Sequence, residues 1–126
     1  MSDAELLAAA TAARERAYAP YSKFAVGAAL LCDDGTVVAG CNVENASYGM
    51  TMCAERTAVF AAVAGGRSRF SAIAVAGPPG VTTPPCGACR QVLAEFGRDI
   101  RLLYTTAHGS EATTVGALLP ATFELP

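Results

Sequence analysis

The sequence contains few charged residues and no cluster of one sign. Lysine and arginine total 9, aspartate and glutamate total 11, and the formal net charge is −2 over 126 residues. The basic residues are scattered and form no patch or stripe, which argues against binding to a long phosphate backbone. A small neutral or cationic ligand fits this composition better than a nucleic acid does.

Long hydrophobic stretches are also absent. No apolar run approaches the roughly 20 residues that a membrane-spanning helix needs. The N-terminus carries no positively charged segment, and Asp3 and Glu5 argue against a secretory signal. We therefore expect a soluble cytoplasmic protein that does not bind membranes, and a chain of this length suits one catalytic domain over residues 1–126.

The sequence has no tryptophan and a single histidine, but it has an odd number of cysteines. His108 falls in a predicted turn, where we expect a solvated side chain and not a metal ligand. An odd cysteine count without a signal peptide argues against a disulfide framework and favours metal binding or catalysis by some of the thiols. The cysteines are Cys32, Cys41, Cys53, Cys86 and Cys89.

Hydrophobic periodicity and turn signals predict the element order α-β-β-α-β-α-β-β. A capping box from Ser2 to Glu5 begins a helix over residues 3–17, and the apolar run 24–31 is typical of a strand covered on both faces. This order predicts an α/β fold with a mixed five-stranded sheet between helical layers, that is, a three-layer α/β/α architecture. The other predicted elements are strands 36–41, 71–76, 100–105 and 111–115, helices 53–63 and 87–96, and a helical turn at 116–119.

Two short motifs carry the chemistry. They are Cys53-Ala54-Glu55 and Pro85-Cys86-Gly87-Ala88-Cys89. Zinc takes thiolate ligands tetrahedrally, and three protein ligands leave the fourth position for water, which distinguishes a catalytic zinc site from a structural one. A lone Cys-x-x-Cys is a weak signal, but its combination with Cys-x-Glu at a second helix start is a signature of zinc deaminases.

The predicted helices place these residues at helix starts. Each of the three motif cysteines, Cys53, Cys86 and Cys89, falls at or beside a helix N-terminus, so two positive helix ends would face the metal. Three thiolates give a zinc centre a formal charge of −1, and we expect the helix ends and Arg56 to offset that charge. Glu55, in a first helical turn, can reach a water at the metal and transfer its proton.

Plainer interpretations remain open at the level of the residues. The cysteines could form a structural zinc site, with Cys32 or Cys41 as the fourth ligand, or a redox pair, although both of those cysteines lie in predicted strands. Glu55 could complement a helix dipole, and Arg56 could be a surface or interface arginine. Phe24 and Phe123 could be core residues, and Arg90 and Arg98 look like exposed helix charges.

Together with two further segments, these motifs resemble the small homotetrameric class of cytidine deaminases. The segments are residues 21–30, Tyr-Ser-Lys-Phe-Ala-Val-Gly-Ala-Ala-Leu, and residues 42–49, Asn-Val-Glu-Asn-Ala-Ser-Tyr-Gly. The likeness runs from about Tyr18 to Phe96 and is weaker over the last thirty residues. Pro84 departs from the family pattern, which usually has serine before Pro-Cys.

The resemblance implies a cytidine deaminase-like fold and the hydrolysis of cytidine and deoxycytidine to uridine and deoxyuridine in pyrimidine salvage. It implies a homotetramer with one zinc ion per subunit, held by Cys53, Cys86 and Cys89, with Glu55 as the proton shuttle. It also assigns substrate contacts. These fall on Phe24, Asn42, Glu44 and Ala54, with Ala46, Tyr48 and Phe123 closing a neighbouring subunit's site.

Three rival functions remain beside this one. They are deamination of a cytosine-containing antibiotic such as blasticidin S, a non-catalytic zinc-stabilised scaffold, and nucleic-acid editing. Glu44 favours a neutral nucleoside, because a carboxylate suits ribose hydroxyls and would repel a nearby phosphate. The scattered basic residues disfavour the editor.

Overall fold

Five strands form one sheet in the computed structural model, which describes residues 1–126. The strand order across the sheet is β2-β1-β3-β4-β5. The strands are β1 (Gly27–Cys32), β2 (Val37–Cys41), β3 (Phe70–Ala76), β4 (Arg101–Thr106) and β5 (Gly109–Thr114). The helices are α1 (Asp3–Ala13), α2 (Ala54–Ala64), α3 (Gly87–Phe96) and α4 (Val115–Leu118), with 3₁₀ turns at Arg14–Arg16 and Tyr48–Met50.

The pairing of the strands brings two helix starts to one edge of the sheet. β1 is antiparallel to both β2 and β3, so β2 and β3 point the same way, and Gly27 pairs with the last residue of each, Cys41 and Ala76. β3 and β4 are parallel, and β4 and β5 are antiparallel. Because α2 follows β2 and α3 follows β3, both helices begin beyond the same strand ends.

Helices cover both faces of the sheet. On one face, Leu6 and Ala10 of α1 pack in a cluster with Ala29 of β1 and Ala74 of β3. The opposite face packs against α2 and α3 in a larger cluster. That cluster includes Ala28, Leu30, Ala58, Val59, Ile73, Leu93 and Leu102. The predicted three-layer α/β/α architecture with a mixed sheet is confirmed.

Two glycines allow the helices to approach the sheet closely. A Cβ atom on Gly27 would lie 2.0 Å from the carbonyl oxygen of Ala10 in α1. On the other face, a Cβ atom on Gly40 would lie 2.5 Å from both the Ala54 carbonyl oxygen and the Ala58 nitrogen of α2. Real Cβ atoms do not approach backbone atoms this closely, so only glycine fits at either position.

Several predicted boundaries are wrong by a few residues. The first helix is α-helical only to Ala13 and then tightens into the 3₁₀ turn, and the last strand gives way to α4 at Val115. The first strand begins at Gly27 and not at Phe24, because the Asn42 side chain bonds the backbone before Gly27 and replaces the strand ladder there. The predicted range 87–96 is the observed range of α3.

None of the helices is both long enough and apolar enough to cross a membrane.

Candidate active site

Three cysteine sulfurs meet where α2 and α3 begin. Cys53 is the N-cap residue of α2, Cys86 is the N-cap residue of α3, and Cys89 lies in the first turn of α3. Their Sγ atoms all lie within 4.8 Å of one another, and the Sγ atoms of Cys86 and Cys89 are 3.5 Å apart. All three are free thiols, and no disulfide joins Cys86 to Cys89.

This donor set fits one zinc ion. A Zn–S bond of about 2.3 Å in tetrahedral geometry places two sulfurs about 3.8 Å apart, close to the spacing found here. The group contains three cysteines and no histidine, aspartate or glutamate, and neither Cys32 nor Cys41 belongs to it. Three protein ligands would leave a zinc ion one coordination position for water, as in catalytic zinc sites.

The surroundings favour a thiolate at Cys53. Its pKa is lowered to about 5, first because it accepts a hydrogen bond from Cys89 and then because Arg56 lies beside it, while burial acts in the opposite direction. Arg56 Nη2 donates to the Cys53 sulfur at 3.3 Å, so this guanidinium faces the cluster and not the solvent. The pKa of Cys89 is raised, because its thiol is the donor to Cys53 and because it is buried.

Glu55 lies beside the sulfurs and almost completely out of solvent. The residue is 4% exposed. Burial raises the pKa of its carboxyl group, and the nearby charge of Cys53 raises it further. A buried carboxyl group with a raised pKa can hold a proton and release it, which is the property required of a general acid and base.

A cavity of about 330 Å³ opens onto the cluster. Its volume is that of a small-molecule site. It is lined by Ser22, Phe24, Val26, Asn42, Glu44, Thr51, Cys53, Ala54, Glu55, Thr83, Pro84 and Cys86. The predicted residues Phe24, Asn42, Glu44 and Ala54 therefore meet Glu55 and two of the sulfurs in one cavity. Phe24 is 37% exposed, so its ring contributes to the cavity wall and not to the core.

Asn42 holds the cavity wall in place through the backbone beside Phe24. Its Nδ2 donates to the Phe24 carbonyl oxygen at 2.7 Å, and its Oδ1 accepts from the Val26 N–H at 2.9 Å. These two bonds fix the amide orientation. One amide hydrogen and one lone pair of Oδ1 remain for a ligand.

The Glu44 carboxylate closes the turn that leads to Phe24. Its Oε1 accepts from the Tyr21 N–H at 2.9 Å and the Ser22 N–H at 3.1 Å, and its Oε2 accepts from the Ser22 hydroxyl. The bonds from Ser22 lower the pKa of this carboxyl group, as does the bond from Tyr21 to a smaller extent. Glu44 therefore presents a fixed negative charge at the rim of the cavity.

Comparison with known proteins decides the family. Residues 1–106 match the family model described as the cytidine and deoxycytidylate deaminase zinc-binding region. A cytidine deaminase from Sporosarcina psychrophila is 54% identical over 121 residues, which are 94% of this chain and 89% of that protein. This chain belongs to the cytidine deaminase family.

Solved structures agree with this assignment. A crystal structure of cytidine deaminase from Burkholderia pseudomallei superposes with a TM-score of 0.93 at 52% identity, covering 98% of this chain and 100% of that one. A blasticidin-S deaminase from Bacillus cereus is more distant, at 27% identity over 107 residues that cover 79% of this chain and 76% of that protein. The protein is thus a member of a family of zinc-dependent hydrolases that deaminate cytidine.

Three predicted substrate residues lie outside this chain's cavity. Ala46 is exposed, Tyr48 is 76% exposed and stands edge-on to Tyr21 in a neighbouring depression, and Phe123 is 72% exposed. Phe123 is not a core residue, and its carbonyl oxygen accepts a hydrogen bond from Gln91 on α3. Aromatic side chains this exposed are available to a neighbouring chain.

Sequence reasoning missed the role of two groups around the site. The Ser22 hydroxyl binds Glu44, and the side chain of Thr51 lines the cavity. The expectation of an exposed helix charge is wrong for Arg90, whereas Arg98 is exposed as expected but does not lie on the helix. Arg90 is half-buried and bonds two backbone carbonyls, and Arg98 lies beyond the end of α3 and bonds the C-terminal segment.

Proposed function

We propose that this chain hydrolyses cytidine and deoxycytidine to uridine and deoxyuridine with release of ammonia, through residues 1–126 acting as one catalytic domain. One observation carries the proposal: the buried carboxyl group of Glu55 and the thiols of Cys53 and Cys86 face the same nucleoside-sized cavity. Family membership supports the reaction, and the cavity supports the substrate class.

The three thiolates of Cys53, Cys86 and Cys89 would hold the zinc ion. A zinc ion bound there supplies Lewis-acid chemistry that makes water a nucleophile near neutral pH. Arg56 and the N-termini of α2 and α3 place positive charge around the sulfurs, which offsets the negative charge of three thiolates. The sulfur ligands alone would leave the centre rich in electrons.

Glu55 moves the protons of the reaction. Its carboxylate takes one proton from the attacking water and delivers it to N3 of the pyrimidine. It then takes the remaining proton from the new hydroxyl group on C4 and passes it to the amine, which leaves as ammonia while C4 keeps the oxygen as a carbonyl. The raised pKa of this carboxyl group suits both steps, because a group that is easily protonated and deprotonated serves as acid and base in turn.

Residues on the cavity wall bind the nucleoside. The ring of Phe24 offers an apolar face to the pyrimidine, and the free amide hydrogen of Asn42 and the carboxylate of Glu44 can bond the ribose hydroxyls. The Glu44 charge disfavours a phosphate at the same position. A nucleoside is therefore the expected substrate, and a nucleotide is not.

We infer that the active enzyme is a homotetramer whose subunits complete each other's sites. The exposed aromatic side chains of Tyr48 and Phe123, together with Ala46, support this, because they lie outside the cavity of their own chain. In a homotetramer they would cover the open cavity of a neighbour and exclude water from the reaction.

The test is a cytidine assay on the zinc-loaded protein, in which the loss of cytidine absorbance and the release of ammonia measure the reaction. Glu55→Gln should keep zinc and fold but lose at least about a hundredfold in kcat, the range expected for removal of a general acid and base. Glu111→Gln, on the exposed strand β5, removes a glutamate charge away from the cavity and should keep full activity. Substantial turnover by Glu55→Gln would refute the mechanism.

The same assay separates the rival functions. Turnover of blasticidin S in preference to cytidine would assign the chain to antibiotic deamination. Zinc without deamination of any cytidine analogue would identify a scaffold.

A further inference from the structure

One arginine side chain connects the metal-ligand loop to the C-terminal segment. Arg90 Nε donates to the Pro85 carbonyl oxygen at 2.8 Å, and Arg90 Nη1 donates to the Leu118 carbonyl oxygen at 2.9 Å. Pro85 directly precedes Cys86, and Leu118 is the last residue of α4. A single guanidinium thus joins the start of α3 to the end of α4.

The Pro85 and Leu118 carbonyls have Arg90 as their hydrogen-bond donor. Neither the Pro85 nor the Leu118 carbonyl accepts a backbone hydrogen bond, and Pro85 is fully buried. A buried carbonyl without a donor is unfavourable, so Arg90 satisfies a group that would otherwise be left without a partner. The rigid fork of the guanidinium directs two separate nitrogens, Nε and Nη1, toward the two acceptors, whereas the donors of an ammonium share one nitrogen.

Fixing the Pro85 carbonyl also fixes Cys86. The proline ring restricts φ of Pro85, so ψ is the main freedom left at this residue. Rotation about ψ swings the carbonyl oxygen and, with it, the following peptide that carries Cys86. A hydrogen bond that holds the carbonyl therefore holds the Cys86 sulfur relative to Cys89, which α3 already carries.

We propose that Arg90 is a positioning residue that keeps Cys86 in place for metal binding by anchoring the Pro85 carbonyl, with the C-terminal segment as its second support. The proposal rests on the proposed zinc site. It assigns a function in the zinc site to a side chain that makes no hydrogen bond to the sulfurs and does not line the cavity.

Arg98 provides a matched control. It is also an arginine that bonds the C-terminal segment, with Nη1 donating to the Leu119 carbonyl oxygen at 3.0 Å and to the Thr122 hydroxyl. It makes no hydrogen bond to residues 83–86. Arg98→Gln therefore loosens the same segment without touching the ligand loop.

The experiment measures zinc release from the zinc-loaded, full-length protein in excess chelator, with a colorimetric zinc indicator. Arg90→Gln should release zinc roughly tenfold faster or more, as expected when a group that orients a metal ligand is lost. Arg98→Gln should release zinc close to the wild-type rate, because it leaves the hydrogen bond between Arg90 and the Pro85 carbonyl intact. Arg90→Lys should fall between them, because the donors of an ammonium share one nitrogen, which cannot occupy the positions of both Nε and Nη1. This variant carries the test if Arg90→Gln does not fold.

Kinetics add a second readout. In Arg90→Gln, kcat for cytidine should fall while KM changes little, because the nucleoside contacts remain intact. If Arg90→Gln releases zinc at the wild-type rate, or if Arg98→Gln accelerates release as much as Arg90→Gln does, the proposed role of Arg90 is wrong, but the zinc site itself stands. A wild-type protein that binds no zinc would overturn the proposed function as well.

Discussion

The guanidinium of Arg56 lies 3.3 Å from the sulfur of Cys53. Cys53 caps the N-terminus of α2, and Arg56 follows it three residues later in the first turn of that helix. Two sources of positive charge, the helix N-terminus and the arginine, thus act on one ligand. The three-residue spacing along the helix fixes the distance between the Arg56 guanidinium and the Cys53 sulfur. A zinc centre with three anionic ligands would in this way be partly neutralised from within a single turn of chain.

Arg56→Gln should keep the zinc ion but lower kcat roughly tenfold to a hundredfold, since loss of a group bonded to a ligand has effects of this size. Metal analysis and a cytidine assay on the same preparation measure both quantities. Arg101→Gln removes an exposed arginine that pairs with Asp3 far from the cavity, and it serves as the charge control. Equal activity in the two variants would contradict the role of Arg56.

Glu44→Gln should raise KM for cytidine and change the dependence of stability on pH. The pKa of Glu44 is lowered in the folded protein by its hydrogen bonds, above all those from Ser22. Its contribution to the free energy of unfolding is therefore present above the unfolded pKa and is lost as pH falls through the lowered folded pKa. Thermal unfolding of both proteins from neutral to acid pH should show the Tm difference shrinking below about pH 4.5.

If wild type and Glu44→Gln have the same Tm at neutral pH, this account of Glu44 is wrong. Glu111→Gln controls for the removal of one negative charge, because that residue is exposed on β5.

Gly40→Ala should destabilise the protein by about 1–3 kcal/mol or more, the usual cost of overpacking. The added Cβ would lie 2.5 Å from backbone atoms of Ala54 and Ala58, so α2 must move, and with it Cys53 and Glu55. Urea unfolding measures the loss, and zinc release should be faster. Gly49→Ala is the matched control because no atom lies within 4 Å of its added Cβ, and comparable effects in both variants would show that close packing at Gly40 is not the cause.

Phe123→Ala should raise KM, because the ring is exposed in its own chain and is proposed to cover a neighbour's cavity. Coexpression of Phe123→Ala with Glu55→Gln tests whether sites are shared between subunits. A site that takes Glu55 from one subunit and Phe123 from another has both groups, so the hybrid should recover activity with the wild-type KM. A hybrid whose activity keeps the raised KM of Phe123→Ala would place both groups in one chain's site.

The element order and the cysteine cluster could be predicted from the sequence because each depends on local signals. The capping box at Ser2 starts α1, and Cys53 and Cys86 were expected at helix starts, where the structure has them as N-cap residues. The spacing of three thiols without a fourth ligand was likewise visible in the motifs. Hydrophobic periodicity and ligand chemistry are properties of short segments.

Contacts between distant segments could not be predicted in this way. The delayed start of β1 results from the Asn42 side chain, which acts across 16 residues on Val26. The bond between Arg90 and Leu118 spans 28 residues and becomes visible only when α3 and α4 are packed together. Side chains that bond backbone carbonyls leave no periodic pattern, so Arg90 looked like an ordinary surface charge.

The parallel directions of β2 and β3 also determine when the metal site can form during folding. The two strands flank β1, and their carboxyl ends both pair at Gly27, so Cys53 approaches Cys86 and Cys89 only after β3 has docked beside β1. That docking closes a chain loop of more than thirty residues, a slow and entropically costly event compared with helix formation. Uptake of zinc during refolding should therefore report completion of the central sheet, and a partly folded chain would hold at most the Cys86–Cys89 pair.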